Sequence, residues 1–405
     1  MSFAYYDKCA QQAQQPMMME LETMRPLRKL ALTTTLGILF AGGVQAADFV
    51  PETLTVEAEI KPGPNIYVLD QSWKGPSQIA VYSVDDLSGK GNMSFGVIGN
   101  VTFSPDRKTA WIASAYQSRI MYGDMHAIVQ KFDVPRLRPV QEVEIPEKLA
   151  LVAPSVGTIQ LSGDGKYLFV QNATPATSIT VVDVAANKVL GEVPIPGCWG
   201  AFAALEGSKF TAICGNGAMT SFSVKADGSY TTLGTSARIF DADTEPLFVH
   251  AERAGKDLLF LSYHGRIFRV NDSGDTPKLV EHFNYTENID GKWAPGGVQM
   301  FAYNAANNIL FVTMHPDAKD GSHKNPGHEI WAVNLKTKKV LYRSPVEEVI
   351  SIAVTSGKIP VLFGLNEDKG SLTRYEVDPE AKFAAKLTNT REGMGSFAVF
   401  AVIGE

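Results

Sequence analysis

The chain repeats one short apolar pattern seven times along most of its length. Each copy is a run of three or four mostly hydrophobic residues, usually preceded by a polar turn and followed by a second apolar segment. The copies begin about 43 to 57 residues apart, a period typical of units of four short β-strands. The seven cores are 66–68, 110–112, 167–170, 210–213, 258–261, 309–312 and 361–363.

The stretch from Gly163 to Gly217 shows this unit most clearly. It reads as a turn, two strands, a second turn and a third strand, GDGKYLFVQNATPATSITVVDVAANKVLGEVPIPGCWG, and it ends on TAICGNG. One four-stranded sheet cannot bury both of its apolar faces alone, whereas neighbouring sheets in a closed ring cover them. The pattern therefore predicts an all-β fold, a seven-bladed β-propeller of four-stranded blades over residues 61–405.

The first 46 residues have the pattern of a secretory signal peptide with an upstream extension, both removed on export. A basic cluster, 25–29, precedes an apolar run, 30–40, that ends at a small-residue site. This run of about 11 residues is shorter than the roughly 20 that span a membrane, so a membrane anchor is the minor alternative. We expect cleavage near Ala46 and a periplasmic mature protein without a membrane span.

Two features of the N-terminal region leave alternatives open. The segment before Met24 adds nothing that a signal peptide needs, so translation starts either at Met1 or at Met24. Residues 47–60 read as an extended N-terminal arm, which either crosses to a partner or closes the last blade.

The charge of the chain argues against one class of partner. The whole sequence carries 37 Lys and Arg against 43 Asp and Glu, a formal net charge of −6. Removal of 1–46 leaves about −7, a mildly acidic surface. A nucleic acid is therefore not an expected partner.

The cysteines agree with export. The sequence has three, and Cys9 leaves with the pre-sequence, so Cys198 and Cys214 remain in one blade. In an oxidising compartment such a pair is most simply a disulfide, worth roughly 3 kcal/mol for a loop of about 15 residues. Two buried free thiols are the alternative, and a metal site is disfavoured because no CxxC pair or flanking histidine is present.

No motif of a self-sufficient catalyst occurs in the sequence: GxSxG, HExxH, the P-loop and the dinucleotide fingerprint are all absent. One constellation could hold a metal, because three imidazoles and three carboxylates occur within HPDAKDGSHKNPGHEIW. Their spacing matches no compact ligand motif, and a solvated or interface-forming loop is the favoured interpretation. These residues are His315, His323, His328, Asp317, Asp320 and Glu329.

Other candidates have plain structural interpretations. His264 is expected in a hairpin turn, and Trp293 in the core at the start of the sixth unit. Gly296-Gly297 indicates either a tight bend or a close approach of two chains. Phe95, in MSFGVIGN, is expected in the loop between the first two units, where the sequence alone favours an apolar plug under the blade.

Four segments resemble a known family. They are QNATPATSITVVDVA, GCWG through AICGNG, WAPGGVQMFAYN and MHPDAKDGSHKNPGHEIWAVNLKTKK. They are similar to the heavy (large) subunit of the quinoprotein amine dehydrogenases, the methylamine and aromatic amine dehydrogenases. The resemblance covers about Pro62 to Phe400 and is closer to the aromatic amine type.

The resemblance implies a periplasmic seven-bladed propeller in an α2β2 heterotetramer with a small light chain. That light chain carries the cofactor, tryptophan tryptophylquinone, and the catalytic aspartate, so this chain binds no cofactor or metal and has no catalytic residue. The implied reaction is oxidative deamination of a primary amine to an aldehyde and ammonia. Electrons then pass to a blue copper protein, azurin-like or amicyanin-like.

The resemblance also assigns roles to individual residues. It places Phe95 at the position of a phenylalanine that lines the substrate channel, and Cys198 and Cys214 at an intrachain disulfide. His328 is not part of the family pattern, and the arm before Pro62 is short for embracing a light chain. A stand-alone periplasmic binding or scaffold propeller is the main alternative function, and a lactonase-like propeller hydrolase is a weaker one.

Overall fold

Seven antiparallel sheets around one axis account for the seven repeats. The computed structural model describes residues 57–119, 122–152 and 154–404, which contain 29 β-strands and one short 3-10 helix, Ser322–Lys324. The prediction of an all-β, seven-bladed propeller is confirmed. The predicted signal peptide, 1–46, and most of the arm lie outside the described residues.

The strands are numbered in chain order and assigned to blades in the order of the chain. Blade 1 contains β1 (Asn65–Asp70), β2 (Ser77–Ser83) and β3 (Gly89–Phe95), and blade 2 contains β4 (Val97–Phe103), β5 (Thr109–Gln117), β6 (Met125–Asp133) and β7 (Arg138–Ile145). Blade 3 contains β8 (Ile159–Leu161), β9 (Tyr167–Asn172), β10 (Ser178–Asp183) and β11 (Lys188–Pro194), and blade 4 contains β12 (Cys198–Ala203), β13 (Lys209–Cys214), β14 (Met219–Val224) and β15 (Tyr230–Thr235).

The remaining blades follow the same plan. Blade 5 contains β16 (Glu252–Ala254), β17 (Asp257–Leu261), β18 (Arg266–Asn271) and β19 (Lys278–Asn284). Blade 6 contains β20 (Ala294–Pro295), β21 (Phe301–Asn304), β22 (Ile309–His315), β23 (Gly327–Asn334) and β24 (Lys339–Val349). Blade 7 contains β25 (Ser351–Val354), β26 (Val361–Asn366), β27 (Ser371–Asp378) and β28 (Ala384–Glu392), and β29 (Ala398–Gly404) completes blade 1 as its innermost strand.

All seven apolar cores of the sequence become the second strand of a blade, counted from the axis. These strands are buried because the faces of adjacent blades cover them. Phe169 of blade 3, for example, packs against Phe210 of blade 4 with ring centroids 4.9 Å apart. The periodic pattern thus marks the layer of the propeller that is most completely enclosed.

The ring is closed by the C-terminal strand. β29 pairs with β1 in antiparallel register, with Val68 opposite Ala401. The described part of the arm does not close a blade: Ile60 N–H donates to Pro135 O at 2.8 Å, and Glu59 forms an ion pair with Arg136 at 2.5 Å. The expectation that the arm closes the last blade is therefore wrong for these residues, which attach to blade 2 instead.

The two ends of the propeller differ in the length of their connections. At one end, the short-turn end, the first and second strands of a blade and the third and fourth are joined by at most six residues. At the opposite end, the long-loop end, four connections exceed ten residues: 146–158, 236–251, 285–300 and 316–326. Binding residues usually lie on such loops, held by a rigid scaffold, so the long-loop end is where a functional site is expected.

Candidate functional site

Buried polar atoms that lack a hydrogen-bond partner concentrate at the long-loop end. Such atoms are rare in folded proteins and call for a bound water, a ligand or a functional role. Five of the six among the described residues belong to this end, and the sixth, in Asn100, lies beside it at the middle of β4. They are Gln71 Oε1, Asn100 Oδ1, Asn172 Oδ1, Glu245 Oε1, His250 Nε2 and His315 Nε2.

The loop 146–158 contacts more blades than the two that it joins. It connects blades 2 and 3, yet Gln71 Nε2, which follows β1 of blade 1, lies 3.5 Å from Val152 O. Ser155 Oγ donates to Val249 O, in the loop before blade 5, at 2.7 Å. The loop thus links blades 1 and 5 to blades 2 and 3 at the long-loop end.

An imidazole and aromatic cluster lies between blades 5 and 6. The His323 ring stacks on Tyr263 with centroids 4.2 Å apart, and Phe248 packs on Tyr263 at 4.5 Å. Next to this cluster, the buried His250 ring meets Phe301 edge-on at 4.7 Å. The cluster thus fixes the orientation of two histidines against aromatic rings.

The apolar setting of this cluster changes its acid–base properties. Burial lowers the pKa of the His323 imidazole, and the nearby charges of Lys324 and His315 lower it further. Burial also raises the pKa of the Tyr263 phenol. Both side chains are therefore held in their neutral forms, which suits contact with an apolar group.

The three histidines of the predicted constellation do not converge on one site. His315 is not in the loop, as the sequence suggests, but is the buried last residue of β22, with Nδ1 2.8 Å from Pro316 O. His323 lies in the 3-10 helix and His328 is exposed on β23. Among the described residues, no three His, Cys, Asp or Glu side chains are grouped closely enough to hold a metal ion.

The carboxylate of the same segment is already engaged. Glu329 accepts hydrogen bonds from Trp331 Nε1 at 2.6 Å and from Arg343 Nε at 2.6 Å. The Arg343 guanidinium lies over the rings of Trp293 and Trp331, at 4.5 and 4.8 Å from their centroids. This stack attaches the loop 285–300 to blade 6. Trp293 is only partly buried and packs against the core from outside, so the expectation that it lies in the core is met in part.

Gly296 and Gly297 are required by a close approach of backbone segments. A Cβ on Gly296 would lie 2.5 Å from Asn325 O, and Gly297 has φ of +120° with Ile350 O 2.3 Å from its Cβ position. A larger residue at either position would push the loops apart. The interpretation of Gly296-Gly297 as a backbone requirement is confirmed, and so is the turn position of His264, an exposed residue between β17 and β18.

Phe95 is the last residue of β3, so the expectation that it lies in a connecting loop is wrong. Its side chain is only 2% exposed and packs in the cluster between blades 1 and 2. A Cβ on Gly99 would lie 2.6 Å from the Phe95 ring, so the glycine leaves the space that the ring fills. The structure thus shows a packed residue, and the substrate-channel role stays a prediction.

The disulfide between Cys198 and Cys214 is present. The two residues lie opposite each other on β12 and β13, at the long-loop end of blade 4, with sulfurs 2.04 Å apart. The crosslink joins the first residue of β12, the innermost strand of the blade, to the last residue of β13, its second strand. The expected pairing is confirmed.

Several residues of this end were not singled out by the sequence, although a signal exists. Gln71 and Asn172 each follow an apolar core, at the point where a second strand reaches the long-loop end. A polar amide directly after a buried strand is unusual unless it serves the loops above. No such signal marks His250 or Tyr263, because their partners come from other parts of the chain.

The histidines of the chain are not paired with hydroxyl or thiol side chains of the described residues. None of the seven histidines, all described, hydrogen-bonds to a Ser, Thr or Cys side chain, so no nucleophile is paired with an imidazole base. No helix within the described ranges has the length and hydrophobicity to cross a membrane. The fold and the site define a seven-bladed propeller that presents amide, imidazole and aromatic groups at one end.

Comparison with known proteins identifies the family. The model of the methylamine dehydrogenase heavy chain family matches residues 64–389, and this chain belongs to that family. The methylamine dehydrogenase heavy chain of Methylophilus methylotrophus is 27% identical over 363 residues, 86% of this chain and 88% of the relative. That of Methylorubrum extorquens is 27% identical over 311 residues, 75% of this chain and 74% of the relative.

Solved structures agree on the fold. A periplasmic gluconolactonase of Pseudomonas aeruginosa matches with a TM-score of 0.58 and 16% identity, over 84% of this chain and 98% of that structure. A putative 6-phosphogluconolactonase of Bacteroides fragilis matches with a TM-score of 0.58 and 10% identity, over 87% and 99%. At such identities the likeness shows the propeller fold alone.

Proposed function

We propose that this chain is the heavy subunit of a periplasmic, tryptophan tryptophylquinone-dependent amine dehydrogenase of the aromatic amine type. The family match over residues 64–389 supports the assignment as a heavy subunit, and the sequence segments 172–178 and 315–324 support the aromatic amine type. In this proposal the partner is a light chain in an α2β2 assembly, and a blue copper protein accepts the electrons.

The overall reaction converts a primary amine and water into an aldehyde and ammonia, with release of two electrons and two protons. The quinone of the light chain supplies the electron-accepting chemistry. This chain supplies a rigid housing, because each of its blades is buried between two others, and an end with long loops on which a second subunit can rest. Neutral imidazole and aromatic groups at that end favour an apolar substituent over a charged one.

Phe95 has a specific part in the proposal. Phe95 directly precedes Gly96 and β4 in the chain, at the point where the chain passes from blade 1 to blade 2 at the long-loop end. A ring in this place can form the apolar wall of a passage once a second subunit covers the end. We propose that it selects among amines by the size of their substituents, with desolvation as the driving force.

The proposed location is the periplasm. The predicted signal peptide supports it, and the Cys198–Cys214 disulfide fits an oxidising compartment. A disulfide of this kind would be reduced in most cytosols, and the crosslinked blade would lose part of its stability.

The proposal is tested by purification from the native host through a tag on this chain. We expect co-purification of a short, cysteine-rich subunit, a quinone absorbance band and amine-dependent reduction of a blue copper protein. The same chain produced alone is the control and should oxidise no amine. A tagged chain that is recovered without any small subunit would favour a stand-alone binding propeller, and activity of the chain alone would refute the proposal.

A further inference from the structure

Charged residues are missing from one part of the long-loop end. The connections of blades 3 and 4 at this end contain a stretch from Leu149 to Thr158 and three shorter segments without any Asp, Glu, Lys or Arg. We call the described residues of these segments the neutral platform. It consists of 149–152, 154–158, 173–177, 195–199 and 215–218.

Charges are fewer at this end of the two blades: the connections 146–158, 173–177, 195–197 and 215–218 carry two in all, Glu147 and Lys148, and Lys148 is paired with Glu192 at 2.8 Å. The four turns at the short-turn end of the same blades carry five charged residues, Asp164, Lys166, Glu206, Lys225 and Asp227. The neighbouring long loop of blade 5, 236–251, carries four, Arg238, Asp241, Asp243 and Glu245. Depletion of charge marks the core of protein–protein interfaces, whereas ordinary exposed turns are charged.

The segments of the neutral platform form one continuous surface. Backbone hydrogen bonds of 2.8 to 3.0 Å join each segment to the next or to the strand end beside it. From donor N–H to acceptor carbonyl, they are Ala150 to Gln171, Gln171 to Thr158, Ala173 to Lys148, Ile195 to Thr177 and Gly215 to Gly197. The Cys198–Cys214 disulfide adds a covalent link. A surface held in this way loses little conformational entropy on binding.

The platform also offers groups that a partner can cover. The turn 174–176 and the pair Pro196 and Gly197 are exposed, and Trp199 is half-buried beside the disulfide. Val249, which is 36% exposed, adjoins the platform through the hydrogen bond from Ser155. Tryptophan is enriched among the residues that dominate interface energies, so Trp199 is the expected anchor.

We propose that the neutral platform is the docking surface for the small second subunit, which covers it with an uncharged face; this rests on the proposed function. Permanent interfaces are more apolar than transient ones. Partners that associate briefly, such as a soluble electron acceptor, depend on charges for steering. A rigid surface without charges therefore fits the permanent subunit and not the acceptor.

The test places a charge on the platform in the native complex. Ala176→Arg and Ala176→Glu change an exposed residue of the platform, and Ala186→Arg makes the matched change in the exposed turn at the other end of β10. Each tagged variant is purified from the native host, and the small quinone-bearing subunit retained is measured by absorbance during serial dilution. Both Ala176 variants should raise the dissociation constant at least about tenfold, and Ala186→Arg should leave it unchanged.

The possible failures can be distinguished. Unchanged retention of the small subunit in both Ala176 variants would overturn the inference while leaving the proposed function intact. Loss of self-association of this chain, with the small subunit still bound, would also overturn it, because the platform would then serve a second copy. If the wild-type chain retains no small subunit, the proposed function fails and the inference fails with it. Unchanged thermal unfolding of the variants confirms that they fold.

Discussion

Gln299 and Ala401, 102 residues apart, are joined by two hydrogen bonds of 3.0 Å. The Gln299 amide donates to the Ala401 carbonyl and accepts from its N–H, in the manner of a neighbouring strand. Gln299 precedes β21 of blade 6, whereas Ala401 belongs to β29 of blade 1. The side chain thus ties the C-terminal strand, which pairs with β1, to the inner part of blade 6.

Gln299→Ala should destabilise the propeller by about 2 to 4 kcal/mol, because it removes two hydrogen bonds and leaves two buried backbone groups without partners. The free energy of unfolding in urea measures this. Gln78→Ala is the control, since the Gln78 side chain bonds only to Asn92 at an exposed position. Equal effects of the two substitutions would contradict a role of Gln299 in holding the C-terminal strand in place.

Removal of the disulfide by Cys198→Ala with Cys214→Ala should cost about 3 kcal/mol, since the crosslink spans 16 residues of sequence. Guanidinium unfolding with and without a reductant measures the effect. The reductant should destabilise the wild-type chain and leave the double variant unchanged. A wild-type chain that is insensitive to a reductant, with its thiols shown to be reduced, would refute the stabilising role.

The ion pair between Arg253 and Asp272, at the short-turn end, should contribute strongly to the free energy of unfolding. Arg253 Nη1 lies 2.6 Å from Asp272 Oδ1, and the carboxylate is almost fully buried. Arg253→Ala should cost about 3 to 5 kcal/mol, because a buried charge is left without its partner. Lys369→Ala is the matched control: its ion pair with Glu347, also 2.6 Å, is exposed and should contribute little. Thermal unfolding compares the two.

Phe95 allows its packing and its proposed channel role to be separated. Phe95→Ala should destabilise the fold by about 3 to 5 kcal/mol, as expected for a buried ring. Phe95→Leu keeps most of the volume and should fold normally. If Phe95 lines the channel, Phe95→Leu should change the ratio of kcat/KM between bulky and short amines several-fold. Identical ratios in wild type and Phe95→Leu would limit Phe95 to packing.

His323 should make the long-loop end sensitive to acid. Burial lowers the pKa of the His323 imidazole in the folded chain, whereas in the unfolded chain this pKa is near 6.5. The unfolded chain therefore binds a proton more readily than the folded chain as the pH falls below 6.5. The contribution of neutral His323 to the free energy of unfolding is therefore fully present above pH 6.5 and is lost as the pH drops towards the pKa of His323 in the folded chain. His323→Phe, which keeps a ring against Tyr263, should reduce this loss below pH 6.5, whereas His328→Phe, at an exposed position, should not. Urea unfolding at several pH values measures both.

The sequence was most informative about features that are formed by residues near each other in the chain. Each apolar core, such as 167–170, is enclosed by its neighbours, so burial requires a continuous hydrophobic run in every blade. The turns before and after these cores lie a few residues from the strands that they join. Proximity in the sequence also favoured a disulfide between Cys198 and Cys214 over two free thiols, because opposite positions of one hairpin are close in both sequence and space.

The same reasoning failed where contacts are distant. β3 has few apolar residues because its outer edge is exposed, so nothing in GKGNMSF indicated that Phe95 ends a strand. His323 and Tyr263 come from different blades, and no periodicity relates them. Closure by β29 joins the two ends of the chain, for which the sequence contains no local signal.

The sequence by itself determined the number of blades and the apolar strand at the core of each, since these follow from the hydrophobic repeats. The tertiary structure decided which loops share one end, which polar atoms are buried there and which surface carries no charge. The physical reason is that closing a ring places residues beside each other according to blade position, a relationship that is not encoded in their separation along the chain.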